Sequence, residues 1–161
     1  MKKSLLIILS VFLLTATANT AQAFNAKDLQ KLKQTKQCPK CDLRSANLSM
    51  AKLNGADLIR ARLSKANLNG ADLIRAKLSK ANLNRANLRR ANLRRADLSG
   101  ADLTDVDLSG ATLTGVSSAG ITGEPIALPI GYSVIKGYIV GPNVNLTDAD
   151  LTGINLTGVD L

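Results

Sequence analysis

Two cysteines, in Cys38-Pro39-Lys40-Cys41, are the residues of this 161-residue chain best suited to do chemistry. A Cys-x-x-Cys pair serves in thiol–disulfide exchange, as half of a tetrahedral zinc site, or as a structural bridge. Zinc needs a second pair of ligands, and the chain has no further Cys and no His. Exchange catalysis needs a thioredoxin-like strand and helix around the pair, and that context is missing. The main reading of Cys38 and Cys41 is a structural disulfide or paired buried thiols, with redox catalysis as the competitor. Export would favour the bridge, because exported proteins meet oxidising conditions. Neither a metal nor a cofactor is expected.

Charges are the other reactive groups. Asp105 and Asp107 form a carboxylate pair, but no nucleophile or His converges on them, so they read as solvated groups or as members of a stacked ladder, and no enzyme is expected. The chain is basic, with formal net charge +9. Such an excess attracts anionic partners or maintains solubility.

The leucine spacing says what must hold these residues. From Leu43 a leucine recurs every five residues through Leu48, Leu53 and Leu58 to Leu113, with Ala two residues earlier at nearly every step. On a helix, five-residue steps rotate by ~140° and scatter the leucines; on a flat strand they alternate faces. Burying all of them requires a turn every five residues. Four such sides close a square coil of about twenty residues, and coils stack at strand spacing, about 4.8 Å. A chain with two Phe, two Tyr and no Trp must build its core from small layers of Leu and Ala.

The stretch ANLNRANLRRANLRRADLSGADL, residues 81–103, resembles the pentapeptide repeat proteins, whose unit is A(D/N)LXX. The resemblance covers residues 41 to about 118 and again 144–161. It implies an all-β fold, a right-handed quadrilateral β-helix with the central Leu and the Ala two before it pointing inward. Counting the unit backwards places Cys38 at a central position and Cys41 at an Ala position, both facing the first coil's interior. The likeness is to exported, cyanobacterial-type members, which implies the periplasm or thylakoid lumen, or secretion. Other members resemble duplex DNA and protect topoisomerases from quinolone drugs. That role uses an acidic surface in the cytoplasm, so it is not expected of a basic, exported chain.

Residues 1–23 read as a secretory signal peptide: Lys2 and Lys3, an apolar run from Leu5 to Leu14, then Ala21-Gln22-Ala23 as a cleavage site. The competing reading is an uncleaved anchor, but the run is shorter than the ~20 residues of a span. Cleavage removes Lys2 and Lys3, lowers the charge from +9 to +7 and leaves no transmembrane segment. Residues 24–37 read as an N-terminal capping helix ending near Gln37, with Asn25 and Asp28 as a capping-box variant and Phe24, Leu29 and Leu32 on its apolar face. The main repeat array spans 38–118, and 119–143 depart from it. There Tyr132–Ile135 and Tyr138–Val140 flank Lys136-Gly137 and predict a β-hairpin. A second short array, 144–161, resumes the five-step in another register and ends without a cap. That end predicts a covering hairpin, a homodimer through the C-terminal coil, or a truncated reading frame.

Residues twenty apart should stack. Asp42, Arg62, Asn82 and Asp102 form one column, Lys52, Asp72 and Asn92 another, and Asp57, Lys77 and Asp97 a third, with opposite charges as neighbours. Such pairs contribute roughly 0.2–1 kcal/mol each. Asn47, Asn67, Asn87 and Asp107 read as an amide ladder. Two residues after each Leu, like charges stack instead: Lys65 under Arg85, Arg75 under Arg95, Arg60 under Lys80, with Arg90 between glycines. Lys65, Arg75, Lys80, Arg85, Arg90 and Arg95 are thus candidate anion contacts in a belt around the shaft. A belt without a groove or aromatic stacking residues does not fit specific nucleic-acid recognition. The expected function is an exported, non-enzymatic solenoid acting as a structural or protein–protein interaction module with an unknown protein partner. The alternative is electrostatic binding of an anionic envelope polymer or membrane surface.

Overall fold

The computed structural model describes residues 24–153 and 155–157. The expected signal peptide lies outside the described residues, as does most of the last repeat, which ends at Leu161.

Helix α1, Ala26–Thr35, opens the described chain. Asn25 caps it by accepting hydrogen bonds from the N–H groups of Lys27 and Asp28 at 2.9 and 3.4 Å. Asp28 does not complete the reciprocal capping box. The Asn25 N–H donates instead to the carbonyl of Asp42 at 2.8 Å, so the helix start is stitched to the first coil. The helix ends where Lys36 turns left-handed at φ 55° and its N–H returns to the Leu32 carbonyl. Leu32 is fully buried, with Phe24 and Leu29 packed beside it on the same core.

A solenoid follows. Parallel bridges join residues twenty apart, from Gln37 and Asp57 through Asn67 and Asn87 to Asp107 and Ala127. From Leu43 to Leu108 each Leu N–H donates one coil upward, as Leu63 does to Asn82 at 2.7 Å, and each Leu carbonyl accepts from the next inward residue, as Leu63 does from Ala66 at 2.9 Å. The first bond stacks coils and the second closes a corner. These bonds pair the backbone around the inward leucines within the stack, which lets leucines from Leu43 to Leu113 be at most 3 % exposed. Each coil has four sides, and a side is identified below by one of its leucines: the Leu93 face carries Leu53, Leu73, Leu93 and Leu113.

The coil runs past the expected boundary at 118. Thr122 and Ala127 still bridge Asp102 and Asp107, and Ile121 fills an inward position at 6 % exposure. The ladder is made by backbone groups, so it outlasts the leucine pattern. At the central position Gly123 replaces Leu, and a Cβ there would come within 2.7 Å of the Thr104 nitrogen.

Strands β1, Ser133–Ile135, and β2, Tyr138–Val140, form an antiparallel hairpin. Its two turn residues, Lys136 and Gly137, have φ 48° and 77°, the positive pair that a tight primed turn requires. The hairpin docks on the top of the stack. Ser118 occupies a central position where other coils have Leu, and its hydroxyl accepts from the Ile139 N–H at 2.9 Å. Ile139 and Val140 are fully buried. After the hairpin the second array rejoins the ladder above Ser117: the Asn145 N–H donates to the Val116 carbonyl at 2.9 Å and its side-chain amide to the Ser117 hydroxyl at 3.0 Å. The second array thus continues the stack on the Leu98 face.

Candidate functional site

Cys38 and Cys41 are joined by a disulfide, with Cα atoms 5.3 Å apart. Both are buried, at 0 % and 4 % exposure. They occupy a central and an Ala position of the first coil, directly under α1, where the Cys38 sulfur lies 3.2 Å from the Asp28 carbonyl oxygen. The Asp28 carboxylate accepts from the Asp42 N–H at 2.8 Å, and the Lys36 carbonyl accepts from the Asp57 N–H at 2.8 Å. Bridge and cap together close the lower end of the solenoid. A buried bridge roofed by a helix is suited to tethering backbone.

The residue before each Leu has a structural task that the charge columns did not reveal. Asp and Asn there fold back to accept from the N–H two residues on: Asp57 from Ile59 at 3.1 Å, Asp72 from Ile74 at 3.2 Å, Asn82 from Asn84 at 3.1 Å and Asp97 from Ser99 at 2.9 Å. A short side chain ending in an oxygen can pin the corner this way, which explains Asp or Asn in the unit. The same engagement limits the expected columns. Among the described residues, Lys52, Asp57, Asp72, Lys77 and Asp97 form no ion pair, and the amide ladder contributes a single contact, Asn67 to Asn47 at 3.4 Å.

Four ion pairs do form among the described residues. Arg44 and Arg62 both approach Asp42, at 2.7 and 3.5 Å. The Arg44 hydrogen bond holds the Asp42 carboxyl below its usual range against the opposing effect of burial. Arg85 reaches Asp105 at 3.1 Å, and Arg89 reaches Asp107 at 3.2 Å. Burial raises the Asp107 pKa, but its hydrogen bonds from Ser109 and Arg89 outweigh that and leave it lowered. Asp105 and Asp107 therefore serve separate arginines and do not act as a pair.

These contacts redistribute the candidate anion-contact residues. Arg85 has an internal partner in Asp105, so its column reads Lys65, Arg85, Asp105 and is not uniformly basic. Lys65, Arg75, Lys80, Arg90 and Arg95 are exposed and take no part in an ion pair among the described residues. Arg90 and Arg95 stand on the two edges of the Leu93 face, and Arg75 lies one coil below Arg95. Sequence reasoning missed Arg94, which is also exposed on this face and free of ion pairs among the described residues; the doubled Arg94-Arg95 was the available signal. Lys65 and Lys80 lie on the other two corners.

Among the described residues no group of His, Cys, Asp and Glu is arranged to hold a metal ion, and no helix is long and apolar enough to cross a membrane.

A family model for pentapeptide repeats matches the chain in 8 copies over residues 41–79, 81–117 and 142–161. Comparison with curated proteins gives no match. Among solved structures, a pentapeptide repeat protein of the Arabidopsis thaliana thylakoid lumen is 34% identical over 55% of this chain and 63% of its own, with TM-score 0.39. This chain thus spans less than two thirds of that protein's length. The protein Rfr23 of the cyanobacterium Cyanothece 51142 is 25% identical over 63% of this chain and 97% of its own, with TM-score 0.36. A further pentapeptide repeat protein, from Nostoc, is 29% identical over 72% and 95% of the two chains, with TM-score 0.33. Pentapeptide repeat proteins fold as right-handed β-helices and are generally non-enzymatic. With its five-residue units stacked in twenty-residue coils and the family model matching more than half its length, the chain belongs to the pentapeptide repeat family.

Proposed function

We propose that the protein is an exported, non-enzymatic solenoid that works as a structural or protein–protein interaction module. The observation that carries this is the division of labour along each unit. Inward positions are almost uniformly Leu and Ala and fully buried, while outward positions vary from coil to coil. A rod of this kind is rigid inside and chemically specific outside. Two features support export, to the periplasm, to the thylakoid lumen or by secretion: the Lys2-Lys3 and apolar pattern of residues 1–23, and the bridged cysteines.

Capture from a native envelope extract on immobilised full-length protein, washed at low and then high salt, tests the proposal. A discrete protein retained at high salt supports a protein-interaction module. Recovery of nothing but anionic polymer, lost at high salt, supports the second reading. That reading is electrostatic binding of an envelope polymer or membrane surface, and the exposure of Lys65, Arg75, Lys80, Arg90 and Arg95 favours it.

A further inference from the structure

We propose that the Leu93 face is the docking surface of this module, and that its partner is an acidic protein segment whose carboxylates seat on Arg75, Arg90, Arg94 and Arg95. The inference rests on the interaction-module reading and gives it a surface.

The corner columns supply the first reason. Arg75, Arg90 and Arg95 have φ of 57°, 55° and 57°, in the left-handed region where a Cβ is strained and Gly is not. Their own columns use Gly in the neighbouring coils, with Met50 at the foot of the Arg90 column. Gly55 lies below Arg75 and Gly115 above Arg95; Gly70 lies below Arg90 and Gly110 above it. In both columns flanking the face, the chain exchanges glycine for arginine only in its middle coils. The left-handed φ is the corner geometry of the whole array, shared by Ser45, Lys65, Lys80 and Asp105, but the exchange sets Arg75 beside Arg95, a like-charge pair that does not serve the solenoid.

Those glycines also order the arginines. A Cβ on Gly115 would come 3.0 Å from Cγ of Arg95, and one on Gly110 would come 3.6 Å from Cγ of Arg90. The two stems therefore lie along their columns in space that the glycines leave open. Stems already laid down lose less rotamer freedom on binding. Between them Asn92 accepts from the Arg94 N–H at 3.3 Å, and the face's Asp72 has an oxygen engaged by the Ile74 N–H.

Extent and surroundings select the partner. The cluster covers two coils, roughly 10 Å along the axis at strand spacing. A long polymer or a lipid surface draws on charge spread over greater distances. A polymer wound around the shaft would meet Asp57 and Asp97 on the Leu98 face and Asp42 and Asp102 on the Leu103 face, against the single Asp72 on the Leu93 face. Guanidinium forks, by contrast, bind individual carboxylates with directional, often bidentate hydrogen bonds.

The test is a fluorescence-anisotropy titration of the full-length protein with a labelled octaglutamate peptide. Replacing all four arginines (Arg75→Gln, Arg90→Gln, Arg94→Gln, Arg95→Gln) should weaken binding by at least roughly tenfold. A charge-matched variant on the other corners (Lys40→Gln, Arg60→Gln, Lys65→Gln, Lys80→Gln) should weaken it less than roughly threefold. Changing the four arginines to Lys keeps the charge and removes the forks; weaker binding than wild type supports the proposal, and unchanged binding overturns it. This variant decides the matter if the Gln variant does not fold, as judged by its thermal melt. Equal losses in the two Gln variants overturn the proposal, as does tighter wild-type binding to dextran sulfate or phosphatidylglycerol vesicles than to the peptide. If the peptide does not bind while a protein is still captured at high salt, the docking surface is wrong and the module reading stands. If no protein is captured either, both fall.

Discussion

The carboxylate of Asp28, in the cap helix, accepts the backbone N–H of Asp42, in the first coil, at 2.8 Å. One turn of helix thereby supplies an acceptor to the open lower edge of a parallel ladder. Removing that acceptor leaves a partly buried N–H unpaired, at a cost of about 1–3 kcal/mol. Asp28→Ala should therefore lower the melting temperature, and amide exchange at Asp42 should quicken while exchange at Leu88 stays as in wild type.

The Cys38–Cys41 bridge closes a very short loop, for which chain entropy gives about 2 kcal/mol of stabilisation. Cys38→Ala with Cys41→Ala should lose about that much and become indifferent to reductant. Wild-type protein should lose a similar amount when reduced, as followed by urea unfolding with and without reductant.

Corner pinning predicts a contrast between residue types at one position. Asn67→Ala deletes the acceptor for the Asn69 N–H, a bond of 3.1 Å, and should cost about 1 kcal/mol. Lys77→Asn supplies a corner acceptor where the native residue has none, and should stabilise by a similar amount in denaturant melts. If both changes are neutral, the Asp and Asn preference has another origin.

Asp42 should contribute to the acid response, beside Asp107 and Asp150, whose pKa values are also lowered. The folded pKa of Asp42 is depressed, chiefly by the Arg44 hydrogen bond, below the ordinary carboxylate value of 3.8. Stability from this contact is therefore present above the unfolded pKa and is lost as pH falls through the folded one. The melting temperature should drop below pH ~4. Asp42→Asn should melt lower at neutral pH and show a shallower acid decline.

Much of the architecture was legible because one period governs it. Leucines at every fifth position permit a single buried arrangement, and the same count placed Cys38 and Cys41 inside the first coil before any contact was known. What escaped the sequence was whatever side chains do locally. Asp57 and Lys77 look like a charge pair when twenty-residue columns are written out, yet Asp57 is committed to its own corner. Arg85 looks like a free cation until Asp105 is found above it. Ser118 held a clue that was passed over: a small hydroxyl at a position reserved for Leu marks where Ile139 and its backbone enter the core. The backbone ladder runs on to Ala127 beyond the repeat pattern because it needs only backbone groups, which a reading of side-chain periodicity does not register.

In-place photocrosslinking is the most direct measurement of whether the rod works by binding a protein through one face. A benzophenone side chain at exposed Thr112, above Asn92 on the Leu93 face, is compared with one at exposed Thr122 on the Leu103 face, in the native envelope. A discrete adduct from position 112 and none from 122 is the predicted result. The same adduct from both positions, or none from either, would contradict it.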